Sequence, residues 1–359
     1  MSHPVAGLPD RRLRIALVKL SSLGDVVHAL PVAHALRASF PTAELTWLVE
    51  RREQAILARN PDVDHVVPVD TRLWRREFRR PGGLQTVFLK VRGLVGRLSV
   101  GGFDVALDLQ GLWKSGIITA LTRAPVRVGF ALGACREAAN VLFTNRRVRV
   151  PSGTAHVVEA NLALLSVLGL PRASLGTPVF AIPSDPAAEA VVARALEEEG
   201  VKPDAPLVVF QPGSGGKGKR WAIDAYRRLG DELGVRLGAR TAICWGPGEA
   251  PLARAIAHGM RAAPIIPPPT SIAEMVALLR RATVVVGGDT GPIHVAAALG
   301  IPTVGLYGPT PAQRNGPCGP RAVSVESRTE RMDGISVERV RAAVEALLSR
   351  DSPLTPRLR

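Results

Sequence analysis

The chain has 359 residues, 46% of them hydrophobic, with 35 glycines and 30 prolines; this is a globular composition, too long for one ordinary core and suited to two domains of about 150 residues each. Lys and Arg number 46 against 31 Asp and Glu, a net charge of +15 that favours polyanionic partners such as nucleic acid, an anionic membrane or a phosphorylated substrate. Cys135, Cys244 and Cys318 lie far apart, which argues against a disulfide framework or a zinc knuckle and fits a reducing compartment.

Segment 1–20 holds an apolar run of a few residues broken by Lys19. A secretory signal needs roughly 7–15 apolar residues and a membrane span roughly 20, and no window reaches either pattern. The expectation is a cytoplasmic protein without a transmembrane anchor. Short apolar runs then alternate with amphipathic stretches. Strands are expected at 13–19, 44–49, 65–69, 103–109 and 126–130, with helices starting near Gly24, Arg51, Leu84 and Trp113.

The first strand leads into KLSSLGDVVHALP (19–31), a strand, a small polar turn and a helix. It has neither the glycines of a dinucleotide fingerprint nor a Walker A loop. It offers Asp25 near a helix N-terminus, where the helix dipole favours the carboxylate. A cap formed by Ser21, Ser22 or Asp25 is the alternative reading. Segment 71–97 carries eight Lys or Arg and one Glu, with Trp74, Phe78 and Phe88 among them. That pattern can suit a surface facing an anionic acceptor or membrane; a solvated helix face is the more frequent case. After the fourth strand, DLQGLWKS (108–115) puts Asp108, Gln110 and Lys114 on the side where doubly wound sheets bind ligands. A helical pattern at 154–169 and the proline-rich stretch 170–186, read as the inter-domain linker, follow.

A second series has strands at 207–211, 241–245, 264–267, 283–287 and 303–307 and helices beginning near Ala222, Glu249, Ser271 and Pro292. Between its first strand and helix, QPGSGGKGKRW (211–221) is a glycine-rich loop with Lys217, Lys219 and Arg220. Exposed N–H groups and lysine charge would suit a diphosphate; a flexible solvated loop is the bland reading. CWGPGE (244–249) places Glu249 where ribose hydroxyls could meet it, or merely in a first helical turn. The strongest signal is VVVGGDTGPIHVAAALG (284–300): an apolar strand, the turn Asp289-Thr290-Gly291, then Pro292 in the first helical turn. The N–H groups of Thr290 and Gly291 and the Thr290 hydroxyl should converge on one anion. His294, one turn in, reads as a site residue or as a packing histidine. Strands rich in Val, Ile and Leu alternating with helices give an α/β fold of two Rossmann-like doubly wound domains, 1–183 and 184–359, facing a central cleft. No His, Cys, Asp and Glu fall at metal-ligand spacing, so neither a protein-held metal nor a cofactor is expected.

These motifs, with CREAANVLF (135–143) and HVVEANLALL (156–165), resemble in order over about residues 13–310 the bacterial lipopolysaccharide heptosyltransferases of glycosyltransferase family 9. The DLQGLWKS and Arg-Glu segments are most similar to the type I enzymes. The resemblance implies a GT-B fold with an acceptor-binding domain 1–183 and a nucleotide-sugar-binding domain 184–359. It implies transfer, with inversion, from ADP-L-glycero-β-D-manno-heptose to Kdo on lipid A, by a peripheral protein on the inner face of the inner membrane. By motif match Asp25 is the catalytic base, with Lys219 assisting departure of ADP. Ser214 and Lys219 fall at the diphosphate, Glu249 at the ribose, and Asp289, Thr290, Gly291 and His294 in the donor site. The acceptor side takes Ser22, Gly24, Gln110, Lys114 and Arg136. Gly215 and Gly216 depart from the family pattern, which often has a hydroxyl or charged residue there, and 327–359 does not align. The rivals are a type II or III enzyme, a GT-B nucleotide-sugar epimerase, and a non-catalytic basic nucleotide- or nucleic-acid-binding protein. No RNA-binding motif or recognition helix is present, so nucleic acid is not an expected partner.

Overall fold

A computed structural model describes residues 12–99, 102–150 and 156–349. Segment 1–11, on which the leader reading partly rests, and the end of the unaligned tail, 350–359, lie outside the described residues. The chain divides into two compact units, Met1–Pro183 and Ser184–Arg359.

The first unit is built on six parallel strands, β1 (Arg14–Val18), β2 (Glu44–Glu50), β3 (His65–Val69), β4 (Val105–Asp108), β5 (Val126–Phe130) and β6 (Arg146–Val148), in the order β3-β2-β1-β4-β5-β6. Ile15, Ala16, Leu17 and Val18 are wholly buried, as a strand covered on both faces requires. The strand order reverses between β1 and β4, where Val18 stands opposite Asp108. The turns that leave those two strands therefore diverge from neighbouring ends, the place where such sheets bind ligands.

The second unit carries five parallel strands, β7 (Leu207–Gln211), β8 (Arg240–Ile243), β9 (Val284–Gly288), β10 (Thr303–Tyr307) and β11 (Ala322–Glu326), in the order β11-β10-β9-β7-β8. Its reversal lies between β7 and β9, with Gln211 opposite Gly287. The glycine-rich loop and the Asp289 turn leave from that point.

Several expectations need correction. The helix expected near Arg51 is only a 3-10 turn, Gln54–Leu57. Arg59 adopts a left-handed φ of 58° and Pro61 follows, so the helix cannot continue. The strand expected at 264–267 shrinks to one bridge between Ala242 and Ile265. Pro264 and Pro267 flank it and lack the N–H groups a ladder needs. Strand β6 escapes sequence reading because its edge position leaves Arg146 and Arg147 exposed, with no apolar alternation. The unaligned tail completes the second unit: the helix Val337–Leu348 buries Val340, Ala343, Val344 and Leu347 in the core beneath β7, β9 and β10. The basic segment forms two helices, Thr71–Glu77 and Gly83–Ser99.

Candidate functional site

In the first unit the site grows from the turn after β1. Lys19 is buried, 1% exposed, and its ammonium donates to the Leu109 carbonyl at 2.5 Å. Gln110 clamps the same turn: its Oε1 accepts from Leu20 N–H at 2.8 Å and its Nε2 donates to Ser21 O at 3.0 Å. Asp108, at the end of β4, organises the opposing loop. Its Oδ1 accepts from the N–H groups of Gln110 (2.9 Å) and Gly111 (3.0 Å). Its Oδ2 accepts from Ser115 Oγ (2.9 Å) and Asn140 Nδ2 (2.6 Å). Burial pushes the Asp108 carboxyl above its ordinary range despite these four bonds.

Gly111 lets the next segment approach. Its φ is +70°, and a side chain there would come within 3.3 Å of the Cys135 Cα and the Arg136 nitrogen. That close packing delivers Arg136 to Asp25, Nη2 to Oδ1 at 2.8 Å. The other oxygen of Asp25, Oδ2, accepts from the Ser22 N–H at 3.1 Å and the Ser22 hydroxyl at 3.2 Å. One oxygen thus caps the short helix Leu23–Val27, while the other faces a guanidinium. Burial alone would raise the Asp25 carboxyl. The charges of Lys19 and Arg136 and the Ser22 N–H outweigh it and hold the group below the ordinary 3.8.

The other residues of the expected acceptor set fall around this turn. Ser22 is exposed and Gly24 is buried. Lys114 Nζ lies 3.5 Å from Ser21 Oγ. Asp108 stands at the carboxyl end of β4, the expected side, but it is wholly buried, and its oxygens are used by its own loop and by Asn140. Gln110 is also buried and spends its amide on the backbone of residues 20 and 21.

In the second unit Asp289 is the centre. Its Oδ1 lies 3.2 Å from His294 Nε2 and its Oδ2 lies 3.6 Å from Lys219 Nζ. Burial would raise this carboxyl, but the hydrogen bond and charge of His294 and the charge of Lys219 hold it below 3.8. His294 is buried, so it is both a packed histidine and a partner of the Asp289 turn. Thr290 is the N-cap of the helix Gly291–Ala298, and its Oγ1 is buried with no hydrogen-bond partner among the described residues. Arg220 Nε is in the same condition. Ser214 is buried, and its hydroxyl donates to Gly216 O at 2.7 Å.

Glu249 does not serve its helix as a first-turn acid. Its Oε2 accepts from Gly246 N–H at 2.9 Å, turning back to the loop after β8. The same carboxylate lies over Gly213, where a Cβ would run into Oε2. Glu249 therefore sits against the loop that carries Ser214 and Lys219.

Sequence reading missed Lys19, which it treated only as a break in an apolar run, and Asn140, which lies 32 residues from Asp108. A lysine at the end of a buried strand is the one signal that pointed to the former.

The family model described as glycosyltransferase family 9 (heptosyltransferase) matches residues 91–342. The chain is 32% identical over 306 residues to lipopolysaccharide heptosyltransferase 1 of Pseudomonas aeruginosa, covering 83% of this chain and 79% of that protein. Among solved structures, Escherichia coli heptosyltransferase WaaC with ADP is similar with a TM-score of 0.78 at 26% identity, covering 93% of this chain and 100% of that one. WaaC with ADP-2-deoxy-2-fluoro heptose gives a TM-score of 0.73 at 27% identity, covering 93% and 99%.

Proposed function

The chain belongs to glycosyltransferase family 9, and we propose that it is an inverting GT-B heptosyltransferase, moving L-glycero-D-manno-heptose from ADP-heptose to the Kdo–lipid A inner core of lipopolysaccharide as a type I enzyme. The observation that carries the chemistry is the Asp25 carboxylate, kept ionised by Arg136 and Lys19 with one oxygen bonded to the Ser22 turn. Unit Met1–Pro183 binds the acceptor in this reading and unit Ser184–Arg359 the sugar nucleotide.

The step is a single displacement. The acceptor oxygen bonds to the anomeric carbon as the bond from that carbon to the diphosphate breaks on the opposite face, and the hydroxyl proton passes to Asp25. An oxocarbenium-like carbon draws electron density from the attacking oxygen and acidifies its proton. A carboxylate of low basicity then suffices as the base, because the proton moves late. Arg136 has a second part: an anionic acceptor such as Kdo draws its guanidinium away and frees Oδ1 of Asp25. Ser22, Gly24, Gln110 and Lys114 shape that side. On the donor side, negative charge gathers on the departing ADP. Lys219, the Ser214 loop and the helix N-terminus at Thr290–Gly291 meet it where it develops. Glu249 takes the ribose hydroxyls, while Asp289 and His294 orient Lys219 and the turn.

Among the described residues no helix is long and apolar enough to cross a membrane. A lipid-anchored acceptor places the enzyme at the inner face of the inner membrane as a peripheral protein, with no part for nucleic acid. Calorimetry with ADP-heptose, UDP-sugars and GDP-sugars, followed by product analysis with Kdo–lipid A, tests the reading. Binding restricted to the ADP-sugar and heptose appearing on the acceptor are expected. Conversion of the donor without acceptor would instead show an epimerase.

A further inference from the structure

Exposed apolar side chains gather in one segment of the first unit. Phe78, Leu84, Phe88 and Leu89 are 59%, 67%, 65% and 58% exposed. Phe78 ends the helix Thr71–Glu77, and the other three lie in the first two turns of the helix Gly83–Ser99. That helix is held from its other half. Leu94 and Leu98 are buried against Val18, Leu48 and Ala106 of β1, β2 and β4, with Trp74 packed beside them. Its early turns thus carry large apolar groups that no core covers. Leu84 and Phe88, four residues apart, share a face. A solvated helix would carry polar side chains there.

The charges around these groups say what covers them. Arg79, Arg80, Lys90 and Arg92 are exposed. Glu77, the acid of the segment, pairs with Arg80 at 3.2 Å. Among the described residues Arg79, Lys90 and Arg92 form no ion pair. A second copy docked symmetrically on this face would set one cationic rim against another, which like-charge repulsion disfavours. An anionic plane with an apolar interior satisfies both the rim and the centre.

We propose that segment 71–99 docks on an anionic lipid bilayer, with Phe78, Leu84, Phe88 and Leu89 entering the boundary between headgroups and acyl chains and Arg79, Arg80, Lys90 and Arg92 at the phosphate level. This names the membrane-facing element, and it stands on the surface alone, independently of which sugar is transferred.

The full chain is co-sedimented with phosphatidylglycerol-rich vesicles and with pure phosphatidylcholine vesicles, both free of lipopolysaccharide. Binding to the anionic vesicles only is expected. A triple variant, Phe78→Ser, Leu84→Ser and Phe88→Ser, and a double variant, Lys90→Ser and Arg92→Ser, should each lose about tenfold or more in partitioning. Both should keep the parent's melting temperature and its kcat and KM on a de-acylated, water-soluble acceptor. Equal vesicle binding by variants and parent overturns the proposal. So does a raised KM for the soluble acceptor, which would make the face part of the acceptor site, or a shift from dimer to monomer without lipid. Loss of vesicle binding in the variants of a chain that transfers no heptose would sink the enzymatic reading and leave the docking surface standing.

Discussion

The two oxygens of Asp25 have different partners, so its capping contact and the proposed base role do not compete for one atom. Oδ2 holds the Ser22 turn, and Oδ1 faces Arg136. Asp25→Asn keeps an oxygen for the Ser22 N–H, so the melting temperature should stay near the parent's. Turnover should fall by about 10²–10⁴-fold, the usual cost of removing a general base. Steady-state kinetics and thermal unfolding on the same variant decide it, and retained turnover removes Asp25 from the chemistry. The pH dependence follows from the same contacts. Asp25 titrates below 3.8 when folded, so its contribution to stability is present above that value and is lost as pH falls through the depressed one. Base function is likewise lost as pH falls through that depressed value. Arg136→Gln removes one of the charges that offset burial, so the Asp25 carboxyl should move upward. The acid limb of the kcat/KM profile should then shift to higher pH than in the parent. An unmoved limb would mean that Arg136 does not tune this group.

At the scale of elements, both loops work because side chains hold backbone at strand ends. Asp108→Ala strips acceptors from two backbone N–H groups, Ser115 and Asn140. Buried donors left unpaired cost about 1–3 kcal/mol each, so a loss of about 3 kcal/mol or more is expected in chemical denaturation. A loss within about 0.5 kcal/mol, the range of ordinary surface changes, would mean the loop is held by something else. Gly213 gives the complementary case. A methyl group there meets the free end of Glu249, which can swing away, so the fold should survive Gly213→Ala while Glu249 is displaced. Calorimetry should show weakened ADP binding at a near-native melting temperature. Undiminished affinity would take Glu249 out of the nucleotide site.

At the scale of the whole molecule, the second unit has its own core. Val208, Phe210, Val284, Val286 and Leu306 pack with Trp221, Tyr226, Val340 and Val344, and every donor-side residue lies in that unit. Ser184–Arg359 expressed alone should therefore fold and bind ADP. Lys219→Ala in either form should weaken that binding by about 1.5–3 kcal/mol, as loss of a charge-assisted hydrogen bond does. A folded second unit with no ADP affinity would show that the nucleotide needs groups from the first.

Legible in the sequence alone were the alternation of strands and helices, four strands with the same limits as those observed (65–69, 126–130, 207–211 and 303–307) and the loops that follow the strands. These are local: hydrophobic periodicity, glycine-rich turns and proline at a helix start act within a few residues of themselves. Periodicity failed where tertiary placement overrides it, as at the exposed edge strand β6 and the proline-bound Ile265. What only the tertiary structure decided is which side chains meet. Arg136 reaches Asp25 across 111 positions, and Gln110 grips Ser21 across 89. Lys219 meets Asp289 because β7 and β9 are neighbours in the sheet. The same placement makes Asp108 the buried post of its loop. Contacts of that span depend on the strand order β1-β4 and β9-β7, and strand order is set by how helices cover the two faces of a sheet, which no single segment of sequence encodes.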